Sequence, residues 1–321
     1  MHAIRVRPDH EMHWGECPDP LPAPGEVLVR VHATALNRAD LMQRAGHYPP
    51  PAGASEVLGL EMAGRIVGVG TAVAGWRVGQ DVCALLPGGG YAALAAVPAD
   101  MLMHMPPGWS YAQAAALPEA ALTAFVNLYV EAALQPHETV LVHAGASGVG
   151  TAAIQLCKAS GNLVFATAGS APKVAHCIAM GALQALDHHA VDFVVELLRA
   201  PGAVDVILDP VGADYFERNL QLLRLRGRLV LISTLSGAEA ALDLRVLMGK
   251  RLRVIGSVLR SRALPEKVAI TRAFVERFWP AVLDGSLLPV IDSEFAIADA
   301  SAAHARMAAN LNIGKIVLHL P

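Results

Sequence analysis

Charge and aromatic side chains are scarce in this chain of 321 residues, at 17% and 5%, and cysteine occurs only 4 times. So little charge beside 54% hydrophobic residues excludes a disordered chain and implies large buried cores. Cys17, Cys83, Cys157 and Cys177 show no Cys-x-x-Cys spacing, which leaves neither a zinc knot nor a disulfide framework to expect. A net charge of −3 and the lack of a Lys/Arg-rich tail give no electrostatic reason to expect nucleic acid. No apolar run approaches the ~18 uninterrupted residues of a membrane span. The opening Met1-His-Ala-Ile-Arg-Val-Arg7 has no apolar signal-peptide core, so a cytoplasmic protein is expected. His188-His189 is the one adjacent pair among 13 histidines, and no metal site is expected there.

The most telling absence is local. A short apolar strand, Thr139 to His143, runs into Gly145, Gly148 and Gly150 within Val140-Leu-Val-His-Ala-Gly-Ala-Ser-Gly-Val-Gly150, and a helix-like segment follows from Thr151 to Lys158. Glycines there let the chain turn tightly and let a pyrophosphate approach amides at a helix N-terminus, whose dipole favours anions. An Asp or Glu about 20 residues on would hold the ribose 2′-hydroxyl of NAD. No Asp or Glu occurs between Thr139 and Leu186, and the second strand ends in Ala168-Gly-Ser170 with Lys173 just beyond. A missing carboxylate plus a nearby ammonium suits a 2′-phosphate. NADPH is the expected coenzyme.

The first third reads as β-rich. Glu26 to His32 alternates apolar and polar residues, and Ala63 to Gly70 and Gln80 to Leu85 are further strand candidates. Helical segments are expected over Ser110–Leu117 and Glu119–Leu134. From Glu138 the rhythm becomes strand, helix, strand, helix, with strands expected at 139–143, 163–168, 183–186, 204–208, 228–232 and 253–258. That alternation indicates an α/β doubly wound, mainly parallel sheet. Helices at Lys267–Leu283 and Ala298–Ala309 and a last strand, Lys315–His319, hold too little apolar surface to stand alone. They are expected to fold back on the first domain.

Five blocks in order then carry a family resemblance across essentially the whole chain. They are Ala35-Leu-Asn-Arg-Ala-Asp-Leu-Met-Gln-Arg44, Gly59-Leu-Glu-Met-Ala-Gly64, Leu85-Leu-Pro-Gly-Gly-Gly90, His143 to Leu156, and Asn312-Ile-Gly-Lys-Ile-Val-Leu318. Together they resemble the zinc-free quinone oxidoreductases of the medium-chain dehydrogenase/reductase superfamily, nearest to the tumour-suppressor-inducible type. The resemblance implies a GroES-like β-barrel catalytic domain over residues 1–120, a Rossmann NADPH-binding domain over 121–260, and a segment 261–321 that completes the first. It also implies an active site in the cleft between domains, a homodimer, and a small-molecule quinone as substrate. Zinc alcohol dehydrogenases of the superfamily place a Cys and a His where this chain has Asn37 and Leu60, which cannot replace thiolate and imidazole ligands.

By resemblance, Asn37 and Tyr48 face the nicotinamide and substrate, and Thr123 lies near the nicotinamide. Read without it, Asn37 is equally a turn residue and Tyr48 a packing residue beside the Pro49 run. The Ala146, Ser147, Gly148 and Val149 amides are expected on the pyrophosphate, with Gly150 serving close helix–sheet packing. Gly169, Ser170 and Lys173 are expected at the 2′-phosphate, although Lys173 also reads as a solvated helix lysine. His188 stands where close relatives carry a tyrosine beside the adenosine phosphate. Val211, Ser233, Leu235 and Ser236 fall at carboxyl ends of parallel strands, where ligands bind. Ser257 and Leu259 are expected near the carboxamide. Asn312 and Lys315 match the family's terminal block, and hairpin geometry around Gly314 explains them equally well.

The activity so implied is NADPH-dependent quinone reduction without metal. Tyr48 also matches the proton-donating tyrosine of enoyl thioester reductases on the same fold, which keeps that activity as an alternative. A crystallin-like nucleotide- or RNA-binding role is a third reading, disfavoured by the lack of a basic patch.

Overall fold

In the computed structural model, which describes residues 1–199 and 202–321, the chain forms two units. One comprises Met1–Ala120, Arg260–Leu283 and Leu288–Pro321, the other Ala121–Leu259 and Asp284–Leu287. No helix among the described residues is long and apolar enough to cross a membrane.

The first unit is organised by one long strand. Glu26–Ala35 alternates inward and outward side chains, and its inward Val27, Val29, Val31 and Ala33 are buried. It pairs antiparallel with Leu94–Pro98, Glu61–Val69 and the C-terminal Lys315–His319. Asp81–Leu85, Leu102–His104 and Ile291–Ala296 complete a seven-stranded sheet. The pairing Val317↔Ala35 brings the end of the chain beside the residues that follow Ala35. Those residues turn into the short helix Arg38–Arg44, opened by the Asn37 main-chain N–H, which donates to Asp40 Oδ2 at 2.7 Å.

The second unit holds a six-stranded parallel sheet. Its order is Gln184–Asp187, Leu163–Ala168, Thr139–Val142, Val204–Asp209, Leu223–Leu231, Arg253–Gly256. Numbered along the chain this is 3-2-1-4-5-6, the Rossmann order with its switch point between the first and fourth strands. Leu141, Phe165, Ile207 and Leu229 from four of these strands share the buried core with Phe193, Leu197 and Tyr215 from the helical layer.

Several boundaries differ from the sequence expectation. The fifth strand begins at Leu223 rather than 228: Val204 pairs with Leu223 and Val206 with Arg228, so residues 224–227 bulge, with Arg226 at φ +64. The sixth ends at Gly256 rather than 258. The helix expected over 119–134 is α-helical only over Pro118–Phe125, then widens, so that the Ala132 N–H reaches the Asn127 carbonyl at 3.0 Å.

Candidate active site

Four charged or amide side chains gather where the C-terminal strand meets the loop after Ala35. Asn37 lies just past the end of strand Glu26–Ala35, Glu61 begins the next strand, Lys315 begins the last, and Asp40 sits in the helix after Asn37; all four are buried. Lys315 Nζ donates to Asn37 Oδ1 at 2.5 Å and to the Leu36 carbonyl at 2.7 Å, and lies 2.6 Å from Glu61 Oε1. Asn37 Nδ2 donates to Glu61 Oε1 at 3.0 Å and to the Ala35 carbonyl at 3.3 Å. Both amide protons of Asn37 are thus engaged, and its remaining capacity is as an acceptor. Glu61 Oε2 accepts from the Glu119 amide at 2.9 Å, so the buried carboxylate is paired on both oxygens.

Behind this group, Asp40 accepts from the Asn37 and Gly59 amides and from Tyr91 Oη at 3.4 Å. Burial outweighs those donors and pushes the Asp40 carboxyl up to about 6. Tyr91 Oη also lies 3.2 Å from His304 Nε2, and burial lowers that imidazole to about 3, so it is neutral at physiological pH. Asn312, by contrast, braces the hairpin: its Nδ2 donates to the Gly314 carbonyl at 2.8 Å.

Tyr48 follows the same short helix and is half-buried. The Arg260 guanidinium carbon stands 5.1 Å from the centre of its ring. Arg260 Nε donates to the Pro87 carbonyl at 2.8 Å, Nη2 to Gln43 Oε1 at 2.6 Å and Nη1 to the Tyr48 carbonyl at 3.4 Å. Thr123 belongs to the second unit, in helix Pro118–Phe125, where its carbonyl accepts from Asn127 Nδ2 at 2.7 Å.

In the second unit the glycine turn is tightly specified. Ala144 adopts φ +51, and a methyl at Gly150 would lie 2.4 Å from the Ala144 carbonyl oxygen. Gly150 therefore lets the helix Gly148–Ala159 cross the first strand closely. Ser147 caps that helix, its hydroxyl accepting from the Gly150 amide at 3.0 Å. The Gly148 and Val149 amides belong to the first turn, where a helix has no acceptor of its own. Ala146 precedes the cap. A pyrophosphate fits such a turn, which supplies amides without a carboxylate.

At the end of the second strand, Gly169 and Ser170 precede helix Ala171–Met180. Ser170 is the N-cap residue, yet its hydroxyl makes no capping bond. Lys173 lies in the first turn, half-buried. A methyl at Gly169 would be 3.2 Å from His188 Nε2, so the third strand's end adjoins this corner, and the His188 and His189 rings lie 4.1 Å apart. The first carboxylate after the turn, Asp187, accepts from the His189 amide at 3.0 Å.

Val211 and the 233–236 loop also come together. The Ser236 amide donates to the Val211 carbonyl at 2.8 Å and Leu235 to Pro210 at 3.3 Å, while Ser233 stands at the head of that loop. Asp209 accepts from the Val211 amide at 2.6 Å and so holds the turn from below. Ser257 is buried, its amide donating to the Leu231 carbonyl at 3.0 Å, and Leu259 is also buried.

Sequence reasoning did not single out Glu61, Asp40 or Arg260. A signal existed for the first: a carboxylate opening an apolar strand in a chain with 17% charge needs a buried partner. That partner, Lys315, stands 254 positions away by number and no local pattern announces it.

Residues 148–274 match the family described as zinc-binding dehydrogenase, and residues 23–107 match the alcohol dehydrogenase GroES-like domain. The metal in the first description does not fit the residues present. Asn37 and Leu60 are poor ligands, the Lys315 ammonium already neutralises Glu61, and no group of three His, Cys, Asp or Glu side chains gathers among the described residues. A quinone oxidoreductase of Pseudomonas aeruginosa is 34% identical over 302 residues, covering 92% of each chain. The quinone oxidoreductase of Thermus thermophilus, solved also in its complex with NADPH, superposes with a TM-score of 0.84 at 33% identity over 100% of both chains. The CurK enoyl reductase superposes with a TM-score of 0.87 at 27% identity, over 100% of this chain and 99% of that one. With a GroES-like β unit, a Rossmann unit and these relatives along its length, the chain belongs to the quinone oxidoreductase family of the medium-chain dehydrogenase/reductase superfamily, an oxidoreductase family.

Proposed function

We propose that this protein reduces quinones with NADPH and without a metal. The observation that carries the coenzyme choice is the end of the second strand. There a glycine, an uncapped Ser170 hydroxyl, Lys173 and the neighbouring His188 stand where an NAD enzyme needs a carboxylate. The NADPH complex of the Thermus thermophilus relative supports the same choice, and the Pseudomonas aeruginosa relative supports a quinone as acceptor.

When bound, NADPH supplies a hydride, and the reduced quinone is left as a hydroquinone monoanion that needs one proton. Water can supply that proton, so the chain's task is to orient and to exclude competing reactions. The Ala146, Ser147, Gly148 and Val149 amides bind pyrophosphate at the helix N-terminus. Gly169 gives the 2′-phosphate room, while Ser170 and Lys173 hold it. The 211 and 233–236 loops, with Ser257 and Leu259, line the carboxyl ends of the sheet along the rest of the dinucleotide. Asn37, rigidly held by Lys315 and Glu61, presents an acceptor edge, and Tyr48 presents a hydroxyl.

Tyr48 also favours a second reading. A hydroxyl on a ring faced by a guanidinium can protonate the enolate left by hydride addition to an enoyl thioester, as likeness to the CurK enoyl reductase would require. One screen separates the two: initial rates with ortho-quinones, para-quinones and 2-enoyl thioesters, each with NADPH and NADH. Quinone turnover that prefers NADPH and survives Tyr48→Phe is expected. Thioester turnover abolished by Tyr48→Phe would replace the first reading with the second.

A further inference from the structure

Arg260 is buried, and none of its hydrogen bonds among the described residues goes to a carboxylate. Its three acceptors are the carbonyls of Pro87 and Tyr48 and the side-chain oxygen of Gln43, all neutral. Its acceptors among the described residues include no carboxylate, although 17% charge leaves few side chains to spend on burial away from an ion pair. An unpaired buried guanidinium is costly, and such groups are retained where the positive charge is used. It covers the face of the Tyr48 ring.

We propose that Arg260 is a positioning residue for Tyr48, and that its guanidinium supplies the positive charge beside which negative charge develops on the reduced substrate. The fork ties three separate pieces of the first unit together: Gln43 of helix Arg38–Arg44, the Pro87 loop, and Tyr48 itself. Lysine has no planar fork to hold three such acceptors. Three other charged groups bear on this corner. Asp40 attracts Arg260, and Lys267, whose Nζ lies 3.4 Å from the Arg260 carbonyl, opposes it. Glu119 disfavours ionisation of Tyr48, and burial does so more strongly, while Arg260 favours it. Arg260 is therefore the one group among these that makes the Tyr48 hydroxyl a better proton donor.

The inference rests on hydride reduction of a substrate that becomes an oxyanion, and the test keeps the two apart. Ring-labelled tyrosine is titrated by carbon NMR in wild type, Arg260→Gln and Arg260→Lys. Among the 5 tyrosines Tyr48 is assigned by its loss in Tyr48→Phe. Removing the charge in Arg260→Gln should raise the Tyr48 midpoint, and kcat for a quinone should fall about tenfold, in a Tyr48→Phe background as well, because the charge beside the forming oxyanion is lost, with NADPH affinity unchanged. Arg260→Lys should keep the midpoint but lose part of kcat, because the charge stays while the fork that fixes its place beside the reduced substrate goes. An unchanged midpoint in folded Arg260→Gln overturns the proposal. Should that variant not fold, Arg260→Lys with wild-type kcat overturns it instead. A wild type inert toward quinones and enoyl thioesters would defeat the functional reading, and the titration would still decide the role of Arg260.

Discussion

Lys173 is one side chain on which the choice of coenzyme turns. NADPH and NADH differ only by the 2′-phosphate, so preference must come from groups that reach it. A hydrogen bond to a charged group is worth about 1.5–3 kcal/mol, and ~1.4 kcal/mol is tenfold in affinity. Lys173→Ala should therefore weaken NADPH roughly ten- to hundredfold and leave NADH nearly unchanged. High salt should shrink the difference, because screening weakens a partly exposed ion pair. Dissociation constants for both coenzymes at two ionic strengths check this, and equal loss for both would assign Lys173 to the fold. At this scale the sequence makes residue types and local motifs readable, and Asn37, Tyr48 and Lys315 could be named from it. What it hides is pairing across the chain. Lys315 carries one of the family's terminal motifs, yet its donors go to Leu36, Asn37 and Glu61, an arrangement visible only once Val317 lies beside Ala35.

Elements were legible where their own periodicity decides them. Leu163–Ala168 and Lys315–His319 fall where an apolar run and a simple alternation place them. The seven-residue helix Arg38–Arg44 and the 224–227 bulge were not, since tertiary packing rather than propensity maintains them. The same is true of the network that joins the first, second and fourth parallel strands to helix Ala213–Leu222. His143 Nδ1 meets Thr167 Oγ1 at 2.8 Å, His143 Nε2 meets Asn219 Oδ1 at 2.7 Å, and Asn219 Nδ2 donates to Asp209 Oδ2 at 2.9 Å. Burial lowers His143 from 6.5 to about 4, so its contribution is complete above pH 6.5 and is lost as pH falls through 4. Burial raises Asp209 from 3.8 to about 6, so its contribution runs the other way, present below 3.8 and lost as pH rises through 6. Between pH 6 and 4 the two offset each other. Asp209→Asn removes the offset while an oxygen remains for the Val211 amide. On acidification from pH 6 to 4 the variant should lose about 2 kcal/mol more than wild type. Urea midpoints at four pH values measure this, and parallel pH curves would refute the coupling.

For the whole molecule, the open question posed by the sheet is its edges. A parallel sheet ending in an uncovered strand offers unpaired main-chain groups to any passing chain. One edge, Gln184–Asp187, leads straight into His188 and the coenzyme corner. The other, Arg253–Gly256, meets the proposed coenzyme site only past its carboxyl end, and we propose that two copies pair along it about a two-fold axis. In the segment 252–259, the apolar side chains include Val254, Val258 and Leu259. Leu259 is only 8% exposed and Leu252 likewise, so both are spent inside their own unit. Val254 at 37% and Val258 at 49% are exposed, as are Leu244 and Met248 of the preceding helix. A charge on each copy at the same two-fold site is doubly unfavourable, because it is desolvated and meets its own image. Sedimentation velocity at micromolar concentration should give twice the 33.7 kDa chain mass for wild type and the single chain mass for a Val254→Glu, Val258→Glu double variant. Coenzyme binding by the single Val254→Glu variant should persist, because Val254 lies within the strand Arg253–Gly256 and not at its Ser257 and Leu259 end. A wild-type monomer would remove the interface altogether, and a double variant that still dimerises would move it to a different face.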